Sequence, residues 1–358
     1  MTLLQESTTR LRAREISGGE SAVVGPLKAY HHETYVLSPP SGMGPVKLRE
    51  PRSTSLWFDR RCFQSEEELL RGLKGRIDRV PDVVDVEGMG LQTFIEGRTL
   101  GAHRWRWGRR VPDAVFEQIV ALFRQMVPIT AETLHVERRC SPQDAPEDGD
   151  TDGFLKRLVV FVEEQVYAAN RARFGGLFEE LGVRDASLVR LGRSVAGLTE
   201  RPFCLLHADL HRENFILDRR RGLWTIDWEL AMVGDPLYDL ATHLYLMRYP
   251  ADQEDRMIRE WCEAVESVRP GSSRGWQRDL RVITDFKRAQ SVYTDTIRAA
   301  LSLHDETGLR WAALPRVAGK LHDVLTAAAG PLGLEDVPGR REIMAALAHR
   351  HREYAAGA

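Results

Sequence analysis

Two short segments near the middle of the chain carry acids, an amide and histidines at set spacing. Residues 207–214 read HADLHREN, and residues 226–229 read IDWE. The spacing of Asp209 and Asn214 fits a tight loop whose two side chains face one cleft. Transfer of a phosphoryl group needs a proton acceptor beside the attacking hydroxyl, and oxygen ligands that hold Mg²⁺ against the nucleotide phosphates. The pattern therefore predicts Asp209 as the base, with Asn214 and Asp227 as metal ligands.

The flanking residues predict strands that would hold these segments in place. Residues 203–206 are apolar and lead into the first segment. Residues 214–217 and 223–226 are joined by the polar turn 218–222, an arrangement typical of a β-hairpin. The alternative is a solvated loop that happens to carry acids. It is disfavoured because the residues on both sides predict strands, and strand ends offer rigid placement for a site.

The two segments resemble the aminoglycoside phosphotransferase and choline-kinase-like family, a branch of the protein-kinase-like fold. That family's catalytic loop reads HGDxHxxN, its metal motif reads IDWE or IDFE, and a GDPxxDLA segment follows. Here residues 234–241 read GDPLYDLA. Ala208 stands at the usual glycine of the loop, and we expect little consequence because a small residue is kept. A protein kinase is disfavoured, since His211 replaces its usual lysine, the DFG position reads Asp227-Trp228-Glu229, and no APE follows that position.

The resemblance implies an α+β, bilobal protein-kinase-like fold with a small β-rich N-terminal lobe and a larger, mainly helical C-terminal lobe. We expect residues 1–96 to form the nucleotide-binding lobe, with a hinge at residues 92–97. Residues 97–358 would form the lobe that holds the catalytic loop and the acceptor site. The resemblance also implies Mg²⁺ as cofactor and ATP or GTP as phosphoryl donor.

Three further residues, His207, His211 and Asp235, are expected to orient the catalytic loop. The spacing of the two histidines could suggest metal ligands, but a zinc protease would need HExxH on a helix. Hydrogen bonding that orients the loop is the better interpretation for both. Asp235 belongs to the GDP motif, which in the family braces the loop and opens the next helix.

The amino-terminal part predicts elements that grip the phosphates. Lys47, in the strand-like run VKLR, matches the lysine that contacts the α- and β-phosphates in kinases. The alternative is an ordinary strand lysine on the solvent face. Ser65 is typical of a helix N-cap before an acidic first turn. Glu66 lies four and seven residues before two leucines, so we expect it on the inward helix face as the partner of Lys47.

Two more segments complete the predicted nucleotide site. Gln92, Thr93 and Phe94 open a stretch, QTFIEGRTL, that resembles the family's hinge, and their backbone groups would read the purine edge. The turn between the first two predicted strands holds His31 and His32. It has no glycine, which would let backbone N–H groups approach phosphates closely. These histidines are either phosphate-covering residues or plain turn residues.

Composition narrows the partners and the setting. At 358 residues the chain is long enough for two lobes, and its net charge of −2 gives no general drive towards nucleic acid or anionic membranes. The four cysteines show no close spacing that would predict a disulfide framework or a zinc site. The amino terminus has no apolar core typical of a signal peptide. We therefore expect a cytoplasmic enzyme with neither nucleic acid nor membrane as a partner.

Beyond the hinge, apolar spacing of helical period predicts a mainly helical region. The predicted helices cover residues 113–126, 154–166, 185–198, 236–247, 252–268, 275–303, 314–328 and 340–354. Residues 137–153 are polar and contain prolines, which predicts a loop or insertion.

Sequence pattern constrains the acceptor site least. The candidate acceptor-binding residues are Glu229, Trp105, Trp107, Tyr293, Asp295 and Arg298. The two tryptophans alternate with arginines, as in single-strand nucleic-acid binders. A surface loop, which could wall the acceptor cleft, is the preferred interpretation because no wider basic face supports nucleic-acid binding. The last three residues lie late on a predicted helix, where an ordinary surface Asp–Arg pair is the alternative.

Together these features predict a Mg²⁺-dependent phosphotransferase that moves the γ-phosphoryl group of ATP or GTP to a hydroxyl of a small molecule. An antibiotic of aminoglycoside, peptide or nucleoside type, in resistance or self-protection, is the first expectation for the acceptor. A kinase acting on choline, homoserine or a sugar is the enzymatic alternative. The non-enzymatic alternative is a nucleotide-binding pseudokinase, which the intact set of base, metal ligands and Lys47 disfavours.

Overall fold

The chain folds into two compact units. The computed structural model describes residues 7–27, 32–39, 42, 44–51, 60–102, 110–140, 145–305 and 308–357. Unit 1 comprises Met1–Cys140, Cys204–Val233 and Leu246–Val268, and unit 2 comprises Ser141–Phe203, Gly234–Tyr245 and Arg269–Ala358. The predicted α+β class is confirmed, with a β-rich N-terminal region and a mainly helical C-terminal region. The lobe boundary near the hinge stays a prediction.

Unit 1 contains a five-stranded antiparallel sheet in the order β1-β2-β3-β5-β4. Its strands are β1 (Val23–Leu27), β2 (His32–Leu37), β3 (Val46–Pro51), β4 (Val83–Val86) and β5 (Met89–Thr93). Side chains alternate between the two faces of a strand. Val46 and Leu48 of β3 are therefore buried on one face, and Lys47 and Arg49 lie on the other.

A helix that the sequence analysis did not predict, α1 (Thr8–Ser17), packs on the apolar face of this sheet. The Ser7 hydroxyl accepts a backbone N–H of its first turn at 3.2 Å, and Gly18 ends the helix in the left-handed conformation. Ala13 and Ile16 share a core with residues of β2 to β5. Because α1 takes this face, the polar face of β3 remains for the site.

Helix α2 (Glu66–Leu73) follows an N-cap that the sequence analysis predicted. The Ser65 hydroxyl accepts the backbone N–H of Glu68 at 3.3 Å, which satisfies one of the free donors of the first turn. Leu69, Leu70 and Leu73 are buried. This packing fixes the rotation of the helix and turns Glu66 towards β3 and β5.

The predicted hairpin after the catalytic loop is confirmed. Strands β8 (Phe215–Leu217) and β9 (Leu223–Thr225) pair antiparallel, and β6 (Arg98–Thr99) pairs with β8 on the other side. Asp218 closes the turn, since its carboxylate accepts two backbone N–H groups and the indole N–H of Trp224, each at 2.8 Å. These bonds stabilise the turn of the hairpin, and the hairpin in turn supports residues 207–214, which precede it.

The remaining elements are mostly helices. They are α3 (Asp113–Met126), α4 (Thr151–Phe161), α5 (Arg171–Glu180), α6 (Asp185–Ser194), β7 (Cys204–Leu206), β10 (Met232–Gly234), α7 (Pro236–Met247), α8 (Ala251–Glu266), α9 (Trp276–Ser302), β11 (His304–Asp305), β12 (Gly308–Leu309), α10 (Leu314–Leu332) and α11 (Arg340–Gly357). Each predicted helix is found, whereas α5 was not predicted because its two glycines weaken the helical signal. No helix among the described residues is long and apolar enough to cross a membrane.

A buried ion network lies in unit 2, at the start of α7. The guanidinium of Arg201 donates to both carboxylate oxygens of Asp235, at 2.8 and 2.6 Å, and to Asp279 at 2.8 Å. All three side chains are fully buried. Burial lowers the pKa of Arg201, but the two carboxylates outweigh it and raise the pKa overall. Asp235 also accepts the backbone N–H of Leu237 at 2.9 Å, so this predicted loop-orienting residue anchors the first turn of α7.

Asp235→Ala is expected to lower the free energy of unfolding by about 3–5 kcal/mol, because it leaves a buried guanidinium without its bidentate partner. Urea unfolding measures the change. Asp323→Ala is the matched control, since Asp323 pairs with Arg340 across 3.7 Å on the surface and should change stability by less than about 1 kcal/mol. Equal effects of the two substitutions would contradict a stabilising role for the buried network.

Candidate active site

The predicted base and one predicted metal ligand are hydrogen-bonded to each other in unit 1. The amide nitrogen of Asn214 donates to the backbone oxygen of Asp209 at 2.9 Å and to its carboxylate Oδ2 at 3.2 Å. Asn214 is buried, whereas 28% of the Asp209 side chain is exposed. The amide nitrogen of Asn214 is thus occupied, and its oxygen is the atom that can ligate a cation.

His211 also contacts the carboxylate of Asp209. Its Nδ1 accepts the backbone N–H of Glu213 at 3.1 Å, so the ring proton lies on Nε2, which is 3.3 Å from Asp209 Oδ2. Burial lowers the pKa of His211, but the hydrogen bond and the negative charge of Asp209 outweigh it and raise the pKa. His211 therefore helps to fix the orientation of the Asp209 carboxylate.

His207 joins the predicted catalytic loop to the segment that carries Asp227. Its buried ring donates from Nε2 to the carbonyl oxygen of Ile226 at 3.1 Å and packs on Trp228 with ring centroids 4.6 Å apart. Burial lowers the pKa of His207, which favours the neutral ring. The backbone N–H of Ile226 in turn donates to the Asn214 carbonyl at 3.0 Å. The two segments are therefore locked in register.

Two residues that are not glycine adopt the left-handed conformation at this site. Ala208 has a φ of 64° and Asp227 a φ of 67°. This region costs an L-residue free energy because Cβ crowds the following carbonyl oxygen, and such residues cluster at functional sites. The family's usual glycine at position 208 is explained by this left-handed backbone, which glycine adopts without steric cost. The sequence analysis did not predict this conformation.

Ala208→Gly is expected to leave the fold intact and to raise the free energy of unfolding by up to about 1 kcal/mol. The left-handed penalty of about 1–2 kcal/mol exceeds the backbone entropy cost of glycine, about 0.5–1 kcal/mol. Ala13→Gly, in the interior of α1, is the control and should destabilise. Chemical denaturation of both variants measures the effect, and a loss of stability in Ala208→Gly comparable with the control would contradict it.

Asp227, the second predicted metal ligand, carries a buried carboxylate oxygen suited to a cation. Burial raises the pKa of Asp227, but the positive charges of Arg49 and Lys47 outweigh it and lower the pKa to about 2. Its Oδ1 is 3.2 Å from Arg49 Nη1, yet it accepts no hydrogen bond from any residue that the structure describes. With the amide oxygen of Asn214, it offers the all-oxygen donor set that Mg²⁺ prefers. These two residues therefore fit a magnesium ion.

The cation that contacts Glu66 is Arg49, which the sequence analysis did not single out. Arg49 Nη1 lies 2.5 Å from the Glu66 carboxylate, and Nη2 lies 2.5 Å from Glu229 and 3.0 Å from His32 Nδ1. Burial lowers the pKa of Arg49, but the surrounding carboxylates raise it overall. One guanidinium therefore bridges β2, α2 and the residues after Asp227. The period of two along β3 already put Arg49 on the face of Lys47.

Lys47 lies on the same face of β3 as Arg49, but Glu66 and Asp227 make their close contacts with Arg49. Burial and the positive charge of Arg49 lower the pKa of Lys47, while Glu66 and Asp227 oppose this shift at longer range. The predicted Lys47–Glu66 contact is thus replaced in this structure by the contact between Arg49 and Glu66. Its role towards phosphates stays a prediction.

Glu66 connects α2 to two other elements besides Arg49. Its carboxylate accepts the side-chain amide of Gln92 at 2.9 Å and the backbone N–H of Trp228 at 2.8 Å. The Gln92 amide also donates to Glu67 at 3.0 Å. The side chain of Gln92, and not only its backbone, therefore belongs to this cluster, and its position opposite Lys47 in the β3–β5 ladder is the reason.

Two backbone N–H groups of the predicted hinge donate to carbonyls of other segments. The N–H of Thr93 donates to the Asp82 carbonyl at 2.8 Å, and the N–H of Phe94 donates to the Pro45 carbonyl at 2.9 Å. Both groups are therefore already bonded within the fold. A purine edge at this hinge would meet other backbone groups of the segment.

The predicted acceptor residues Glu229 and Tyr293 have different surroundings. Glu229 lies among cations, 3.0 Å from Arg61, and burial together with Asp227 raises its pKa to about 7. Tyr293 is fully buried in unit 2 and packs on the rings of Tyr167 and Phe178, both at 5.7 Å. Tyr293 thus has no exposed surface for an acceptor.

Of the remaining predicted residues, two form an ordinary surface ion pair and three lie outside the residues that the structure describes. Asp295 and Arg298 form an i, i+3 pair at 3.8 Å, with more than a third of each side chain exposed. His31, Trp105 and Trp107 lie outside the described residues. Their predicted roles therefore stay predictions.

Comparisons with known proteins agree with the predicted family and fold. The sequence profile of the phosphotransferase enzyme family matches residues 27–279. A search of curated proteins gave no match.

Solved structures of three related proteins superpose over most of the chain. A choline kinase from Streptococcus pneumoniae has a TM-score of 0.54 at 16% identity, covering 90% of this chain and 98% of that one. A macrolide 2′-phosphotransferase from Brachybacterium faecium has a TM-score of 0.50 at 17% identity, covering 92% and 98%. A thermostable aminoglycoside phosphotransferase mutant in ternary complex with AMP-PNP and hygromycin B has a TM-score of 0.51 at 13% identity, covering 95% and 99%. The predicted kinase-like fold is thereby confirmed.

Proposed function

Because the chain belongs to the phosphotransferase enzyme family by its match over residues 27–279, we propose that it moves the γ-phosphoryl group of ATP or GTP, with Mg²⁺, to a hydroxyl of a small molecule. We propose an antibiotic as the acceptor, in resistance or self-protection. In support, two of the three similar structures carry the names of antibiotic phosphotransferases. The choline kinase among them favours a metabolite alcohol as the second candidate.

The observation that carries this proposal is the pair of hydrogen bonds from Asn214 to Asp209. It places a carboxylate that can accept a proton directly beside an amide that can ligate a metal. His207 then holds the strand end that bears Asp227 against the same loop through Ile226. Phosphoryl transfer requires a base and metal ligands held in fixed positions, and these residues would meet that requirement.

In the proposed reaction Asp209 accepts the proton of the acceptor hydroxyl as the hydroxyl oxygen attacks the γ-phosphorus. The bond between the γ-phosphorus and the β–γ bridging oxygen breaks, and the nucleoside diphosphate leaves. Oδ2 of Asp209 is engaged by Asn214 Nδ2 and faces His211 Nε2, so Oδ1 is the atom that takes the proton. The Asp209 side chain is partly exposed, which is compatible with the approach of an acceptor. Orientation of the carboxylate by two donors places the base without motion during the reaction.

On the nucleotide side, Asn214 and Asp227 would hold Mg²⁺ through oxygen atoms. When bound, the ion neutralises charge that builds up on the β- and γ-phosphates. We assign Lys47 to the phosphates. Arg49 is assigned to positioning, because its guanidinium already binds Glu66 and Glu229.

Incubation of the purified protein with Mg²⁺ and either ATP or GTP against a panel of acceptors tests this function. The panel contains macrolide, aminoglycoside, peptide and nucleoside antibiotics, together with choline, homoserine and simple sugars. Mass spectrometry detects the gain of one phosphoryl group, and Asp209→Asn protein serves as the blank. An antibiotic product supports the proposal, and a product from a metabolite alone supports the second candidate. Nucleotide binding without any product would favour a pseudokinase.

A further inference from the structure

Two cysteines lie side by side in unit 1, on segments that pair with each other. Residues Phe63 and Arg138 form an antiparallel bridge, and the backbone N–H of Arg139 donates to the Cys62 carbonyl at 3.0 Å. The Cys140 thiol donates to the Cys62 carbonyl oxygen, with Cys140 Sγ 4.0 Å from that oxygen. The backbone pairing therefore keeps the two cysteines close in space although 78 residues separate them.

The two sulfurs differ in exposure and in charge environment. Cys62 is buried, whereas Cys140 is half-buried. The adjacent Cys62 thiol and the positive charges of Arg60 and Arg138 lower the pKa of Cys140 to about 6, whereas the Cys140 side chain together with burial raises the pKa of Cys62. Cys140 is thus the more accessible and more readily ionised sulfur and Cys62 the protected thiol, the asymmetry of an attacking and a resolving cysteine.

We propose that Cys62 and Cys140 form a reversible disulfide site that reacts with low-molecular-weight disulfides of the glutathione type. The Cys140 thiolate attacks one sulfur of the small disulfide, forms a mixed disulfide and releases one small thiolate. The Cys62 thiol then loses its proton to solvent and attacks the Cys140 sulfur, which releases the second small thiolate. Two electrons pass from the protein thiols to the small disulfide, which leaves as two thiols.

The segment that a Cys62–Cys140 disulfide would hold in place continues into α2, which carries Glu66. Arg61, next to Cys62, lies 3.0 Å from Glu229, and Ser65 caps α2. Phe63 and Arg139 line a cavity of about 200 Å³ beside Arg49 and Glu66. A covalent link between Cys62 and Cys140 therefore fixes one wall of this cavity. It also closes a long loop, which restricts the unfolded chain.

Oxidation of the reduced full-length protein with glutathione disulfide, followed by alkylation and peptide mass spectrometry, tests the site. The expected product is an intramolecular Cys62–Cys140 crosslink, with Cys204 and Cys262 alkylated after unfolding. The oxidised protein should melt higher by roughly 5 °C. Absence of the crosslink, or a crosslink that joins two molecules, would overturn the proposal.

Single variants distinguish the roles of the two sulfurs. Cys62→Ser should accumulate a glutathione mixed disulfide at Cys140, whereas Cys140→Ser should remain reduced at Cys62. Identical behaviour of the two variants would overturn the assignment of attacking and resolving sulfur.

A matched pair of arginine variants tests the charge environment. In Arg138→Gln protein the midpoint of the pH profile for alkylation of Cys140 should move to higher pH, because the positive charge of Arg138 lowers the pKa of Cys140. Arg259→Gln, the same change at an exposed position of α8, should leave this midpoint unchanged. Equal midpoints in the two variants would overturn the role of Arg138.

Discussion

Asp209→Asn is expected to lower kcat by roughly 10²–10⁴-fold while nucleotide affinity changes little. Asparagine keeps the shape of the side chain and its place beside Asn214 and His211, but it cannot accept the proton of the acceptor hydroxyl. Because the loss falls on the reaction and not on nucleotide binding, kcat and affinity should separate. Steady-state kinetics and calorimetric titration with nucleotide measure the two quantities.

The control for this variant is Asp255→Asn, the same chemical change at an exposed position of α8. Its kcat should equal that of the unchanged protein. A kcat for Asp209→Asn within about twofold of the control would contradict the assignment of the base, since general-base catalysis contributes on the order of 100-fold or more.

Asp227→Ala is expected to abolish the Mg²⁺-dependent part of nucleotide affinity. Loss of a neighbouring support of a metal ligand typically costs 10–100-fold, so removal of the ligand itself should weaken Mg²⁺-dependent binding by about 100-fold or more. Calorimetry with nucleotide in the presence of Mg²⁺, and again in the presence of a chelator, separates the two parts of the affinity.

With the chelator present, Asp227→Ala and the unchanged protein should bind nucleotide with similar affinity. Asn214→Ala should reproduce the Mg²⁺ defect, because it removes the second oxygen donor. If Asp227→Ala retained full Mg²⁺-dependent affinity, the metal ligands would have to be sought elsewhere, for example among Glu66 and Glu229, whose carboxylates lie within 4.8 Å of each other and of Asp227.

Local pattern was enough for the elements around the catalytic loop. The turn residues at 218–222 predict the hairpin, the Ser65 cap predicts the start of α2, and apolar period predicts α3 and the later helices. Each of these signals depends on residues within about a turn of one another, which sequence displays directly. Helix α1 was not predicted because its buried apolar face is short and its sequence is rich in arginine.

The contacts of the charged cluster depend on packing that no local pattern contains. Lys47 and Arg49 lie on one strand face, and the placement of α2 along β3 decides that Arg49 meets Glu66. The hinge is similar, because the donors of Thr93 and Phe94 bond to carbonyls that other segments bring to them. Sequence thus predicted which residue types gather at the site, and the tertiary fold determined how they pair.

A crystal structure with Mg²⁺ and a non-hydrolysable ATP or GTP analogue would test the assignment of base and metal ligands most directly. We expect a cation at about 2.0–2.1 Å from the Asn214 amide oxygen and from a carboxylate oxygen of Asp227, with the Asp209 carboxylate unligated and open to an acceptor. A cation held by Glu66 and Glu229, or by Asp209 itself, would contradict it.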